Sequence, residues 1–196
     1  SYYVSSSLGS DDNDDDPESG TYQKPYKTLE HAIEKIGSDR GYIYVMDYQD
    51  IDSPIEISDW DANITIASTD FNQNGTSTLG LSDAQRIKTL KRKAGYRGEL
   101  FRVEACDVCR FRDITLSGNE QESESPVLSI EGGSVDLSTK ATVTGARGTA
   151  ADKGSAINAS EGAIFGMSGG TVTGNKSAIG GKGAVYCPIR KAGDTA

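Results

Sequence analysis

In the second half of the chain, apolar residues recur singly, with polar residues between them and glycines around them. The stretches "LFRVEACDVCRFRDITLSGN" (100–119), "VLSIEGGSVDLSTKATVTG" (127–145), "AINASEGAIFGMSGGTVTGN" (156–175) and "AVYC" (184–187) align as successive units. Phe101, Leu128, Ile157 and Val185 stand 27, 29 and 28 residues apart, and Val103, Ile130, Ala159 and Cys187 follow two places later at the same spacings. Leu116, Val143 and Val172 close the units, each followed two residues on by Gly118, Gly145 or Gly174. Within a unit the alternation has period two, the pattern of a strand with one buried face. One strand carries Phe101 and Val103. A second carries Cys109 and Phe111, then Val135 and Leu137, then Phe165 and Met167. A third carries Ile114 and Leu116, then Ala141 and Val143, then Val172. Three short strands per roughly 28 residues predict the coil of a parallel β-solenoid, with equivalent side chains stacked about 4.8 Å apart. Val172 is then an inward plug, and Gly169, Gly170 and Gly174 supply turns that need positive φ or close backbone approach.

The earlier chain fits the same scheme. "YIYVM" (42–46), "PIEIS" (54–58) and "NITIAS" (63–68) are three alternating runs, expected to form the first coil. A polar excursion from Ser68 to Ala84 leaves it and returns through "IKTLKRK" (87–93). Ahead of the coils one helix is predicted: Thr28 as N-cap, a Leu29, Ala32, Ile33, Ile36 stripe, and Gly37 as its stop. Laid across the first coil, it would cover an apolar cross-section and bare strand edges. His31, on the other side from the stripe, is expected to be exposed. The chain divides into residues 1–40, holding an N-terminal strand, an acidic loop and the capping helix, and residues 41–196, holding the coils. Polar "PIRKAGDTA" after the last unit leads us to expect further coils or another domain downstream.

A hydrophobic share of 35% with 23 glycines suits a narrow core. The net charge of −9 argues against a general nucleic-acid binder, because phosphate would repel it. No apolar run approaches 18 residues, so no membrane insertion by this segment is expected. Acids crowd the first 70 residues, whereas Arg86, Lys88, Lys91, Arg92, Lys93, Arg97, Arg102, Arg110 and Arg112 crowd the middle. This asymmetry reads either as internal charge complementarity or as an anion site. Of three cysteines, Cys109 and Cys187 fall at inward positions, and Cys106 and Cys109 are close enough in sequence to bridge a turn. A single C-x-x-C is too little for zinc.

Three sets of residues carry candidate chemistry. In "DDNDDD" (11–16), Asp11, Asn13 and Asp15 alternate as oxygen donors to Ca²⁺ would, although the sixth and twelfth places of an EF-hand loop hold Asp16 and Tyr22. Simple exposure to water is the other reading. Arg102, Ser129, Asn158 and Tyr186 fall at outward places of the first strand column, where they form either a sugar-binding face or a solvated sheet surface. Glu104 and Glu131 stack just beyond, as a carboxylate ridge or as ordinary turn residues.

"YYVSSSLGSDDNDDDPESGTYQKPYKTLEHAI" (2–33) resembles the N-terminal segment of secreted bacterial right-handed β-helix proteins of the pectin-lyase-like superfamily, with its "YYV" strand, Gly/Asp/Asn loop and "P-x-K-T-x-x-x-A-I" helix start. "MSGGTVTGN" (167–175) and "GGKGAVY" (180–186) resemble the repeats of bacterial surface adhesins and polymorphic outer-membrane-type proteins. The resemblance implies an all-β, right-handed parallel β-helix with an N-terminal capping helix, extracellular or at the cell surface. It says little about activity, because lyases, hydrolases and adhesins share the scaffold. The leading expectation is a non-catalytic module for adhesion or structural display, with a glycan or a surface protein of a host or neighbouring cell as partner. The alternative is a carbohydrate-active enzyme of the polysaccharide lyase type acting on acidic polysaccharide, with its site near Arg102 and the 69–98 loop; such lyases need a basic residue beside Ca²⁺-holding acids, and here the column offers one base and one acid pair without a clustered Asp set.

Overall fold

The computed structural model describes residues 1–12 and 14–188. Strand β1 (Tyr2–Val4) opens the chain and helix α1 (Leu29–Ile36) follows. Among the described residues the chain then makes five passes through three sheets, always in the same order. The first pass is β2 (Arg40–Val45), β3 (Gln49–Ile51) and β4 (Ile55–Ser58). The second is β5 (Asn63–Ser68), a single-turn helix α2 (Asp83–Arg86), β6 (Lys88–Arg92) and β7 (Phe101–Ala105). The third is β8 (Val108–Arg112), β9 (Ile114–Ser117), a two-residue strand β10 (Glu122–Ser123) and β11 (Leu128–Ile130). The fourth is β12 (Ser134–Leu137), β13 (Thr142–Thr144), β14 (Arg147–Gly148) and β15 (Ile157–Ala159), and the fifth is β16 (Ile164–Met167), β17 (Thr171–Val172) and β18 (Val185–Tyr186). The first sheet runs β1-β2-β5-β8-β12-β16, the second β3-β6-β9-β13-β17 and the third β4-β7-β11-β15-β18, while β10 and β14 form a small ladder of their own. Every pairing among these named strands is parallel. The architecture is therefore all-β, built from several parallel sheets.

The register carries the sequence spacings directly. Phe101 stands opposite Leu128, Leu128 opposite Ile157, and Ile157 opposite Val185. Cys109, Val135 and Phe165 form a second row, and Leu116, Val143 and Val172 a third. The rows fill one interior, where Phe101 and Phe111 meet edge to face at 4.9 Å. Burying each large apolar side chain contributes about 1.5–3 kcal/mol. On the outward side of the second sheet, Thr89, Thr115, Thr142 and Thr171 stand in one row, a β-branched ladder that suits the pleat. Gly174 has a φ of 65°, and a Cβ on Gly170 would lie 2.5 Å from the Leu137 Cβ, so both glycines are required sterically.

The first pass differs from the expected one. Tyr42 pairs with Thr65 and Ile43 with Ile66, so β2 and β5 lie in one sheet on successive passes rather than side by side in one coil. The second-sheet strand of the first pass is β3, whose "QDI" lacks an apolar alternation because buried Gln49 takes an inward place and donates from Nε2 to Asp47 Oδ1. The polar excursion is also ordered. Phe71 and Ser77 form an antiparallel bridge, and buried Thr78 donates from its hydroxyl to the Thr69 carbonyl at 2.8 Å.

Helix α1 has the expected caps: the Thr28 hydroxyl accepts from the His31 N–H at 3.2 Å, and the Gly37 N–H returns to the Ile33 carbonyl at 3.0 Å. Leu29, Ala32 and Ile36 are buried and Ile33 half-buried. His31 is not the free surface residue expected. Its ring packs edge-on to Tyr26 at 4.7 Å, and its Nε2 lies 2.9 Å from Asp14 Oδ1. In the fifth pass, Met167 is exposed and Phe165, Val172 and Val185 are only half-buried, since among the described residues no strand pairs beyond β16, β17 and β18. Cys187 is exposed rather than inward, and Cys106 and Cys109 are free thiols, not a bridged pair. Burial pushes the Cys109 thiol far above its ordinary pKa.

The basic stretch answers the acidic one in part. Lys91 pairs with Asp50 and Arg102 with Glu56, while Arg86 holds Asp113 and Asp83. Arg92 does neither. It is fully buried and donates to the carbonyls of Gly98 (2.7 Å), Ser125 (2.9 Å) and Pro126 (3.0 Å), pinning two loops against the second sheet. No helix among the described residues is long and apolar enough to cross a membrane.

Candidate functional site

Glu56, Arg102, Ser129, Asn158 and Tyr186 do form one row across the third sheet. The row is occupied by internal contacts. Arg102 donates to Glu56 at 2.9 Å and to Glu99 at 3.3 Å. Asn158 accepts from the Gly154 N–H, and Lys182 sits 5.1 Å above the Tyr186 ring. Ser129 is buried, not outward to water as its place in the alternation predicts. The 69–98 loop does not border Arg102 as one unit. Its hairpin packs instead on the N-terminal segment, where Gln73 donates to the Gln23 carbonyl.

Of the residues expected to hold Ca²⁺, the structure describes Asp11 and Asp15. The Asp11 carboxylate faces the chain entering α1: Oδ1 accepts from the Lys27 N–H at 2.7 Å and Oδ2 from the Thr28 hydroxyl at 2.7 Å. Asp15 is exposed, and Asn13 lies outside the described residues. Asp14 and Asp16 turn to Lys35 and Lys24. Among the described residues, no group of three or more His, Cys, Asp or Glu is placed to hold a metal ion.

A different surface gathers side chains that have no role in the core. In "RGYIYV", Ile43 and Val45 point inward, so Tyr42 and Tyr44 stand on the outer face of the first sheet. Their rings stack at 5.7 Å with an interplanar angle of 13°. Pairing of β1 with β2 sets Tyr3 opposite Tyr44, with centroids 5.0 Å apart. Tyr22, from the N-terminal loop, meets Tyr3 edge-on at 5.9 Å, and Phe71, from the hairpin, continues the series at 6.0 Å from Tyr22. Five rings thus run without interruption over a sheet face, with Tyr42 and Phe71 each 38% exposed at the two ends. Sequence reasoning passed over them. The alternation of "YIYVM" puts Tyr42 and Tyr44 outward, but Tyr3, Tyr22 and Phe71 join them only through pairing and the hairpin.

Charged groups edge this platform. Arg112 on β8 reaches across β5, its guanidinium carbon 6.0 Å from the Tyr42 ring centre, and fully buried Ala67 lies between Tyr44 and Arg112 in the register. Arg112 Nε is buried and lies 3.3 Å from Asp113 Oδ2 without a hydrogen bond. Asp113 forms the one-residue corner between β8 and β9 at a φ of 48°, held there by Arg86 at 2.7 Å. Burial, and then the Asp70 carboxylate, push the Tyr3 and Tyr44 phenols above their ordinary pKa.

No family model, no curated protein and no solved structure matches the chain.

Proposed function

We propose that this chain is a non-catalytic module of a right-handed parallel β-helix, extracellular or at a bacterial cell surface, which displays a rigid face to glycans. The five-ring chain Tyr42, Tyr44, Tyr3, Tyr22 and Phe71 carries the reading. A pyranose ring offers a flat C–H face and a hydroxyl rim. Aromatic rings bury the first, and tyrosine hydroxyls with a nearby arginine hydrogen-bond the second. Mounting on a sheet keeps the rings in place without a ligand, which lowers the ordering cost of binding.

The β-helix part rests on the fixed order of passes through three parallel sheets. Parallel crossovers are right-handed in about 98% of cases. Helix α1 packs beside β1, β2 and β4, where it would cover the end of the first pass. The cellular address rests on the resemblance of residues 2–33 and 167–186. No observation favours the lyase, because Arg102, its expected base, is engaged by two carboxylates.

The test is calorimetric titration with a panel of neutral, amino and acidic oligosaccharides. At least one member should bind, and Tyr42→Ala should weaken it about tenfold with an unchanged circular dichroism spectrum. Absence of binding, binding indifferent to Tyr42→Ala and Tyr44→Ala, or unsaturated product released from an acidic member would contradict the reading.

A further inference from the structure

Opposite charges stand at the two ends of the tyrosine platform. Arg110 and Arg112 leave β8 on the same outward face of the first sheet as Tyr42 and Tyr44. In the register Thr65 separates Arg110 from Tyr42, and Ala67 separates Arg112 from Tyr44. Two short side chains thus form the floor between an aromatic bank and a cationic one. The negative end lies past the last residue of β5. The Thr69 N–H reaches the Val45 carbonyl at 2.9 Å, which sets Asp70 beside the end of β2, and the next residue is Phe71, the last ring of the series. After burial, the Asp70 carboxylate is the next cause that raises the pKa of Tyr3 and Tyr44, while Arg112 acts in the opposite direction on Tyr44. Tyr44 therefore stands between the two fields.

The positive end carries surplus charge. Arg86, Arg112 and Lys140 share two carboxylates, Asp113 and Asp83. Arg110 donates to the side-chain oxygen of Asn63, a neutral partner, at 3.1 Å. Asp136, opposite Arg110 on β12, accepts from the Ser168 N–H and hydroxyl. The Arg112 Nε is buried without a hydrogen-bond partner, so Asp113 does not fix the guanidinium, and the side chain is 36% exposed beside Tyr42. It is in place to take an anionic group from a ligand lying on that ring.

We propose that the platform takes a zwitterionic glycan, in which amino and uronic sugars alternate, with a carboxylate against Arg112 beside Tyr42 and an ammonium toward Asp70. This rests on the platform reading above and adds to it the charge pattern and direction of the bound chain. A purely acidic chain meets Asp70, and a purely basic one meets Arg110 and Arg112, so each forfeits at one end what it gains at the other. A guanidinium pairs with a carboxylate in bidentate fashion, so Arg112 also orients the sugar on Tyr42. Rings alone accept a sugar chain in either direction; opposite charges at the two ends of the row select one.

Four forms of one oligosaccharide of alternating glucosamine and glucuronic acid separate these contributions: with free amine and carboxylate, N-acetylated, carboxyl-reduced, and both N-acetylated and carboxyl-reduced. In calorimetric titrations of the intact protein, the zwitterionic form should bind about tenfold more tightly than either singly charged form, and its advantage should shrink as salt is raised. Arg112→Gln should abolish the preference for the carboxylate and keep that for the amine, and Asp70→Asn should do the reverse. The two ends are tested separately, so a folding defect in one variant leaves the other decisive. Equal affinity of all four forms, tighter binding of a singly charged form, an equal loss for every form in both variants, or binding by none of the four would overturn the proposal. The platform reading falls with it only if the wider oligosaccharide panel also shows no binding that depends on Tyr42.

Discussion

Arg92 illustrates how a single residue in this chain departs from the simple alternation of apolar-in, polar-out. In "KTLKR", Leu90 and Arg92 both point inward, and the guanidinium replaces an apolar plug by tying Gly98, Ser125 and Pro126 to the sheet through their carbonyls. Burial lowers its pKa, but the value stays far from neutrality for any arginine. Replacing it with methionine keeps much of the volume and strands four carbonyl acceptors, the Gln121 carbonyl at 3.4 Å included. Arg92→Met should cost about 2–4 kcal/mol, read as a lower urea midpoint at unchanged slope, whereas Lys91→Met on the exposed face should stay within about 0.5 kcal/mol. Equal effects would mean that the carbonyls are satisfied in another way. Asp11 teaches a related lesson about legibility. Its spacing to Asn13 and Asp15 reads as cation chemistry, but no sequence pattern reveals that its carboxylate is spent on Lys27 and Thr28.

At the scale of elements, the alternation was legible wherever one apolar residue stood alone between polar ones, as in β7, β8, β9, β12 and β13. It failed at β3, where glutamine fills the inward place, and that one missing strand displaced the reading of the whole first pass. The attachment of β1 was likewise invisible in sequence. Asp47, after β2, accepts from the Ser6 and Ser7 N–H groups at 3.1 and 3.0 Å and from the hydroxyls of Ser5, Ser6 and Ser7. Burial raises its carboxyl pKa, but the serine donors outweigh burial and hold it below the ordinary value. A depressed folded-state pKa contributes stability that is complete above the unfolded value of about 3.9 and is lost as pH falls through the folded value. Asp47→Asn should therefore lower the melting temperature at pH 7, by roughly 1–2 kcal/mol of stability, and should flatten the decline of wild type below about pH 4. Parallel acid profiles for the two proteins would exclude this role for Asp47. Tyr3 sits on the strand that this staple secures, so the same variant tests whether the platform needs β1 in place.

For the whole molecule, the proposed tyrosine platform depends on one geometric claim, that equivalent strands of successive passes stand over one another in parallel register. The tyrosine platform needs it to bring β1, β2 and β8 onto a single face. The outward threonine row gives the most direct access to it, since Thr89 and Thr171 are 82 residues apart in sequence yet only three strands apart in the second sheet. Spin labels at Thr89→Cys and Thr171→Cys, with Cys187→Ser to remove the exposed native thiol, measure that separation by double electron–electron resonance. Stacked passes put the two backbones about 14 Å apart and predict a narrow distribution centred below about 25 Å once the label arms are included. A broad distribution near the roughly 50 Å of a flexible connection of this length would contradict the account.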